Sequence, residues 1–173
     1  MTVTPTDLLA DAFTRIRDDV HAVVADLSAE QLSSRPDGHG NSIAWLVWHL
    51  TRIQDDHIAD VADVEQVWTA GGWFEQFGLP FDARDNGFGH SGDEVAAVKV
   101  DPGPLLSYHD AVRAQTARYL STLGGDDLDR VVDDYWDPPV TLAARLVSVV
   151  GDDFQHAVPG CLCARPAPVR VAP

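Results

Sequence analysis

Apolar residues recur at three- and four-residue intervals along four long stretches of the chain, which is the spacing of one face of an α-helix. Thr4 and Ser42 are typical helix-start residues, and Gly124 is a typical stop. Strand-like alternation is limited to one candidate strand, residues 95–100. The predicted long helices cover about residues 5–26, 42–63, 104–123 and 141 onward, with short turns near 28–36 and 126–132. The pattern predicts an all-α helical bundle.

The segment between the second and third predicted helices, about residues 64–103, has no such periodicity. It breaks into the pieces Gly-Gly-Trp, Gly-Leu-Pro-Phe and Gly-Phe-Gly-His, each of which carries glycine or proline. A connection of this length in a compact domain is more often functional than accidental. Its aromatic residues are interpreted as a satellite of the core, with the wall of an apolar substrate pocket as the alternative. They are Trp68, Trp73, Phe74, Phe77 and Phe81.

Composition and charge narrow the class of protein. The 173 residues contain 27 Asp and Glu against 12 Lys and Arg, so the formal net charge is −15. Nucleic acid and anionic membrane surfaces are bound mainly through Lys and Arg, so neither is an expected partner. No apolar run approaches the ~20 residues of a membrane span, and the N-terminus lacks the features of a signal peptide. We therefore expect a cytoplasmic protein with one domain over residues 1–158 and an atypical Pro-rich tail over 159–173.

The second predicted helix carries a polar stripe inside its most apolar stretch. His49 follows the run Ile-Ala-Trp-Leu-Val-Trp, and Arg52 and Asp56 lie one and two turns further on. Polar groups in a buried helix cost stability unless they are partnered. From this helix alone, a core histidine bonded to a carboxylate and a functional site both remain open. Arg52 is a candidate for binding an anionic substrate, with neutralisation of the acidic stripe as the alternative, and Asp56 is a candidate for supporting the site.

The fourth predicted helix supplies partners for His49. Asp152 and His156 are four residues apart, which places both side chains on one face with Cβ atoms about 6 Å apart. This spacing suits two ligands of one metal ion and also suits a salt-bridged surface pair. With His49 on a facing helix, the set becomes two imidazoles and one carboxylate, which leaves coordination positions open as in catalytic metal sites. Arg145 lies two turns earlier on the same face as a second candidate for an anionic substrate.

The other histidines divide between the irregular segment and the helix surfaces. His90 lies in the irregular segment and is a candidate for lining a pocket. His57 falls on a neighbouring face of the second helix, which favours a role beside the site or on the surface. His21 and His109 lie next to charged residues on amphipathic helices and are expected to face solvent, as is His39 in a Gly-rich loop.

Three motifs resemble the DinB-like superfamily. They are the segment Ser42–Leu50 with Asp55-Asp56-His57 downstream, the Trp-Asp-Pro-Pro segment at 136–139, and the segment Leu146–His156. The resemblance covers nearly the whole chain up to His156. It is greatest to the actinobacterial branch that looks like the N-terminal metal-binding domain of mycothiol-dependent maleylpyruvate isomerase. The resemblance implies an up-down-down-up four-helix bundle with a long crossover between helices 2 and 3.

The resemblance also implies a set of metal ligands. Family members bind a divalent metal, commonly zinc or nickel, through a histidine of the second helix and a His/Glu-x-x-x-His pair of the fourth. Carried over to this chain, the ligands are His49, Asp152 and His156. Asp152 stands where relatives usually carry His or Glu, and its side chain is one methylene shorter than that of Glu. Characterised relatives transfer low-molecular-weight thiols such as mycothiol, or use them as cofactors.

The function implied is that of a metal-dependent transferase that joins a mycothiol-type thiol to a small electrophilic substrate. A metal with open positions favours the thiolate over the thiol, which makes a nucleophile at neutral pH. Two alternatives stay open: a metal-assisted hydrolase at the same site, and a non-catalytic or degenerate family member whose polar groups form a core network. A homodimer through exposed helix faces is compatible with such a bundle.

The tail departs from the family pattern. Pro159 and Gly160 are expected to end the fourth helix within a turn of His156, where relatives continue as a helix resembling Gln-Ala-Ala-Tyr-Val-Arg-Gly-Leu. One codon choice for residues 158–166 yields that helical sequence after deletion of a single base, so we interpret the tail as a frameshifted helical end. On this interpretation both cysteines of the chain are accidental, and the altered end predicts a looser or partly empty metal site.

Overall fold

The computed structural model describes residues 2–163, with side chains placed through Ala157, and it confirms the all-α bundle. The helices are α1 (Pro5–Val24), α2 (Ala29–Ser33), α3 (Ile43–Ala62), α4 (Val67–Ala70), α5 (Trp73–Phe77), α6 (Gly92–Ala97), α7 (Pro102–Leu120) and α8 (Leu142–Cys163). Two 3₁₀ turns (Pro36–Gly38 and Gly125–Asp129) and two strands, β1 (Val131–Asp133) and β2 (Val140–Thr141), complete this span. None of its helices combines the length and the apolar character that crossing a bilayer requires.

The predicted helix starts are confirmed by their hydrogen bonds. The Thr4 hydroxyl accepts from the Asp7 N–H, and the Asp7 carboxylate accepts from the Thr4 N–H, which closes a capping box before α1. The Ser42 hydroxyl accepts from the Trp45 N–H at 3.2 Å and caps α3. Such caps satisfy backbone donors that have no partner in the first helical turn. They also fix the residue at which α3 begins, and with it the position of His49 two turns later.

The order of contacts along neighbouring helices agrees with the up-down-down-up topology. α1 and α3 each pack against both α7 and α8. Thr51 and Gln54 of α3 contact His109 and Thr116 of α7 in the same order along both helices, so α3 and α7 run parallel. Two consecutive parallel helices need a connection that returns along the whole bundle. Residues 63–101, called the crossover below, supply it.

The first and third long helices run antiparallel. Arg17 of α1 bonds to Asp110 of α7, whereas Thr14, almost one turn earlier, accepts from Arg113, almost one turn later. With α8 antiparallel to α3, as the contacts in the next subsection show, the four long helices form a ring in which each packs against two neighbours. The core lies inside this ring, where the largest fully buried apolar side chains include Phe13 of α1.

The crossover is more ordered than its sequence predicts. It contains the short helices α4, α5 and α6. The sequence did not predict them, because four to six residues do not establish a period that can be recognised. The one candidate strand, residues 95–100, is not a strand, since Gly92–Ala97 is helical. Trp68 is 2% exposed, and its ring lies 5.1 Å from the Phe77 ring and 5.0 Å from the Tyr108 ring. This part of the crossover is therefore core rather than pocket wall.

A two-stranded antiparallel hairpin precedes α8, and the sequence pattern gave no sign of it. Val131 of β1 is paired with Thr141 of β2. Strands of three and two residues are too short for an alternation of apolar and polar positions to be recognised. The hairpin matters for the site because it presents Asp133 to α8, where this carboxylate contacts Arg145 at 3.1 Å.

The expected end of the fourth helix is wrong. Pro159 and Gly160 were expected to end it, but α8 continues to Cys163. A proline inside a helix removes one backbone hydrogen bond and crowds the preceding turn, and this can kink a helix without ending it. The expectations for the rest of the tail, residues 164–173, lie outside the described residues.

His109 is buried, and its expected position on the solvent face of α7 is wrong. Its side chain is 0% exposed, and Nδ1 lies 3.0 Å from Thr51 Oγ1. Because that hydroxyl already donates to the Val47 carbonyl, it accepts from His109, which places the proton on Nδ1. Nε2 is buried without a hydrogen-bond partner among the described residues. Burial lowers the pKa of His109 to about 4.

This buried imidazole predicts a loss of stability at acid pH. Between about pH 6.5 and pH 4 the unfolded chain binds a proton at His109 that the folded chain does not, so stability falls as the pH falls. We expect this group to remove about 2 kcal/mol of unfolding free energy between pH 7 and pH 5. His109→Asn keeps a donor for Thr51 without the titration. Urea unfolding at both pH values should show a shallower decline in the variant, and equal declines would contradict this prediction.

Candidate metal centre

The structure brings together the three side chains that the sequence proposed as ligands. His49 extends from α3, and Asp152 and His156 extend from the facing side of α8. One ligand atom from each of the three residues lies within 4.8 Å of the other two. The two imidazole rings meet edge to face, with centroids 4.7 Å apart. A single ion placed among these atoms would have donors from two helices.

Backbone carbonyls orient both imidazoles for ligation. His49 Nδ1 lies 2.5 Å from the Asn86 carbonyl oxygen, and His156 Nδ1 lies 2.8 Å from the Asp152 carbonyl oxygen. A carbonyl oxygen only accepts, so each Nδ1 carries a proton and donates it. In both neutral rings the lone pair is therefore on Nε2. A metal-binding histidine typically has its other ring nitrogen bonded in this way, because the bond fixes the tautomer and the ring orientation.

The Asp152 carboxylate has an oxygen without a hydrogen-bond partner, and a metal ion could bind to this oxygen. Its Oδ2 is buried and forms no hydrogen bond with the described residues, although His156 Nδ1 lies 3.4 Å away. Burial raises the pKa of Asp152, but the nearby His156, His49 and His57 outweigh burial, so the pKa is lowered and the group is ionised at neutral pH. A buried anionic oxygen without a partner is costly. Two free Nε2 lone pairs and this oxygen together fit a divalent cation.

The two histidines differ in how strongly they hold a proton. Burial lowers the pKa of His49, which keeps its imidazole neutral near pH 7. The Asp152 carboxylate raises the pKa of His156. A metal ion binds only the neutral imidazole, so proton competition falls mainly on His156 and affinity decreases as the pH falls through its pKa.

Trp45 and His90 form a wall beside the three ligands. The Trp45 ring stacks on His49 with centroids 4.7 Å apart, and its Nε1 donates to His90 Nδ1 at 3.1 Å. Because an indole N–H only donates, the His90 proton is on Nε2, which lies 3.0 Å from Asp85 Oδ1. Both nitrogens of His90 are therefore engaged, so this residue shapes the site and does not offer a ligand atom.

Arg52 is placed where no substrate reaches it. Its side chain is fully buried and donates to the carbonyl oxygens of Ala83 and Asp85 and to Gln66 Oε1. The guanidinium carbon also lies 5.0 Å from the centroid of the Trp68 ring. Arg52 therefore ties both the beginning and the middle of the crossover to α3. These bonds hold the backbone at Ala83 and Asp85, and the next residue, Asn86, supplies the carbonyl that orients His49.

Asp55 supports the site, and sequence reasoning missed it. Its buried carboxylate accepts from the N–H groups of Val67 and Trp68 at 2.8 Å each and from the Tyr108 hydroxyl at 2.9 Å. Arg52 Nη1 is 3.7 Å from the same carboxylate. Burial raises the pKa of Asp55, and these partners act against that rise. Two signals were available: its place in the Asp-Asp-His motif that resembles the family, and its spacing of three residues from Arg52, which also suits a surface ion pair.

Three further candidates contact other elements of the site. The Asp56 carboxylate accepts from Gln66 Nε2 at 2.7 Å and so holds the amide that Arg52 contacts. Arg145 of α8 donates from Nη1 to His57 Nδ1 of α3 at 2.9 Å. Since His49 meets His156 and the later His57 meets the earlier Arg145, α3 and α8 run antiparallel with their polar stripes face to face.

Gly87 lets the crossover approach His49. Its φ is +89°, a left-handed conformation, and a Cβ there would lie 2.9 Å from His49 Nδ1 and 2.9 Å from the Trp48 ring. We expect Gly87→Ala to destabilise the fold by about 2–4 kcal/mol and to weaken zinc binding, because the Asn86 carbonyl must move. Gly89→Ala is the matched control, with φ +77° and no heavy atom within 4 Å of the added Cβ. Urea unfolding and zinc titration that rank the two variants equally would contradict this reading.

The fold and the site together define a class of protein: a four-helix bundle with a long crossover and a two-histidine, one-carboxylate cluster between its second and fourth long helices. The sequence matches the DinB superfamily over residues 12–157, and the chain belongs to this superfamily. It is also similar in structure to a conserved protein from Enterococcus faecalis, with a TM-score of 0.88 and 27% sequence identity over 95% of this chain and 97% of that one. No curated protein matches the chain.

Proposed function

We propose that the chain is a divalent-metal-dependent transferase of low-molecular-weight thiols, with zinc or nickel as its metal and a mycothiol-type thiol as cosubstrate. The observation that carries the proposal is the donor set: two Nε2 lone pairs fixed by backbone carbonyls, and one buried Asp152 oxygen without a partner. Three protein ligands leave positions for an exogenous ligand, which is typical of catalytic rather than structural sites.

A divalent ion at this site would lower the pKa of a bound thiol and so favour the thiolate. The residues of the chain supply the conditions for this chemistry. Asn86 and Asp152 hold the two imidazoles in the tautomer that exposes Nε2. Trp45 and the crossover cover His49 and keep water away from it. In the transfer itself, the thiol proton leaves to solvent and the sulfur forms a bond to the electrophilic carbon of the substrate. At the same time the bond from that carbon to its leaving group breaks, and the leaving group departs with the bonding electron pair.

Elemental analysis of the untagged protein tests the metal centre. We expect close to one zinc or nickel ion per chain after purification without chelators, and loss of that metal in His49→Ala. His39→Ala is the matched control, because His39 is exposed in the loop before α3. The looser or partly empty site expected from the tail assumed that α8 ends near Pro159; because α8 continues to Cys163, a fraction well below one in the wild type would count against the proposal. Absence of metal after zinc and nickel are both offered would refute the proposal.

A thiol-conjugation assay tests the activity separately. The metal-loaded protein is incubated with mycothiol and a panel of small electrophiles, and the thiol-dependent loss of each electrophile is measured. We expect turnover in the loaded wild type and none in His49→Ala. Turnover that is independent of thiol would identify a metal-assisted hydrolase. Stoichiometric metal with neither activity would favour a non-catalytic binding protein.

A further inference from the structure

Arg145 of α8 joins three elements, because it contacts both α3 and the hairpin that precedes α8. Its Nη1 donates to His57 Nδ1 at 2.9 Å, and its Nη2 donates to Asp133 Oδ2 of the hairpin at 3.1 Å. The Arg145 side chain is 16% exposed, so the group is held in place without being sealed from solvent. The thiol-transfer proposal assigns no role to this arrangement.

The bond from Arg145 determines where His57 carries its proton. A guanidinium has donors and no acceptor, so His57 Nδ1 must present its lone pair to it. The proton of the neutral imidazole is therefore on Nε2. Within the described part of the chain, neither His57 Nε2 nor Arg145 Nε has a hydrogen-bond partner. Neither atom is fully buried, so both remain accessible to solvent. The pair therefore has two N–H groups without a hydrogen-bond acceptor among the described residues.

This donor pair lies beside the metal centre. His57 is about two turns beyond His49 on α3, and Arg145 is about two turns before Asp152 on the antiparallel α8, so the donor pair and the metal centre lie along the same interface between α3 and α8. Burial lowers the pKa of His57 most and Arg145 adds to this, while the carboxylates of Asp152, Asp56 and Asp60 act in the opposite direction. The Asp152 carboxylate is therefore within electrostatic range of His57.

We propose that His57 and Arg145 bind a carboxylate group of the substrate whose other end is held at the metal centre, which makes them specificity-determining residues. Fixed N–H donors on a guanidinium and an imidazole match the oxygens of a carboxylate and offer nothing to a cation. The nearby acidic groups Asp56, Asp60 and Asp133 oppose a free anion. A ligand anchored at both ends overcomes this repulsion, because its second contact is intramolecular. The inference rests on the proposed metal centre.

The test compares two thiols on cobalt-loaded protein, in which thiolate-to-cobalt absorption reports binding. 2-Mercaptoethanol offers only the thiol, whereas mercaptocarboxylates of two to six carbons add a carboxylate at increasing reach. We expect at least one mercaptocarboxylate to bind about tenfold or more tightly than 2-mercaptoethanol. His57→Phe should remove this advantage and leave 2-mercaptoethanol binding unchanged. His57→Gln, which keeps a donor near the position of Nε2, should restore part of it.

Arg145→Gln provides a second variant, and Arg118→Gln, at an exposed position on α7, is its control. Cobalt affinity is measured for every variant, so that loss of the metal centre is distinguished from loss of the carboxylate site. If no mercaptocarboxylate exceeds 2-mercaptoethanol in the wild type, or if the advantage survives both His57→Phe and Arg145→Gln, the inference is overturned. If no thiol binds cobalt-loaded protein at all, the proposed thiol chemistry fails instead.

Discussion

Asp55→Ala is expected to lower the free energy of unfolding by about 3–5 kcal/mol, the range found when one partner of a buried ion pair is removed. The substitution leaves the Arg52 guanidinium buried without its nearest carboxylate. It also removes the acceptor for two N–H groups at the start of α4 and for the Tyr108 hydroxyl. Each of these donors then loses its partner in the core, which adds to the penalty. Equilibrium urea unfolding of the metal-free protein measures the change.

Two variants separate the charge of Asp55 from its hydrogen bonds. Asp55→Asn keeps one acceptor oxygen but turns an amide NH₂ toward existing donors, so we expect it to destabilise nearly as much as alanine. Asp56→Asn is the matched control, because Asp56 is only half-buried and accepts one side-chain hydrogen bond. It should cost less than about 1 kcal/mol. Equal effects at positions 55 and 56 would mean that the buried network does not support the crossover.

The same network shows why fold and site depend on each other. Asp55 holds the beginning of α4, and Arg52 holds the backbone at Ala83 and Asp85. The next residue of that segment, Asn86, supplies the carbonyl that orients His49. A loss of these anchors should therefore weaken metal binding even though none of the anchoring atoms would touch the metal.

The long helices and the three ligand candidates could be predicted because their signals are local. Helix caps and apolar periods repeat every few residues, and the four-residue spacing of Asp152 and His156 puts both on one face of a helix. The facing position of His49 was harder to predict, since it depends on how two helices are packed. It followed from a family resemblance and from the apolar run in front of this residue.

The buried polar groups could not be predicted from the same signals. Charged neighbours make the face of His109 look exposed, and the burial of Arg52, Asp55 and His109 depends on partners 12 to 58 positions away in sequence. Spacing within one helix does not reveal such partners. The hairpin was missed for a related reason, because strands of three and two residues are stabilised by what they pack against.

Asp152→Asn is expected to abolish most of the stabilisation that a metal gives to the fold. With zinc at about 100 times the dissociation constant, binding adds about 2.7 kcal/mol, which for a chain of this size raises the melting temperature by about 5–10 °C. Asparagine removes the negative charge and leaves a weaker oxygen donor beside the two imidazoles. We expect zinc affinity to fall about 100-fold or more. At the same zinc concentration the variant should then gain only about 1 °C.

The chelator-treated proteins separate this effect from a general loss of stability. The Asp152 Oδ2 has no hydrogen-bond partner among the described residues, so in the metal-free protein its replacement removes only the charge interaction with His156 Nδ1, 3.4 Å away. Melting temperatures of the two metal-free proteins should therefore agree within a few degrees. Asp126→Asn, at an exposed turn, makes the same change in net charge and should respond to zinc like the wild type. A full zinc-induced shift in Asp152→Asn would mean that zinc binds elsewhere and that the three side chains form a core network instead.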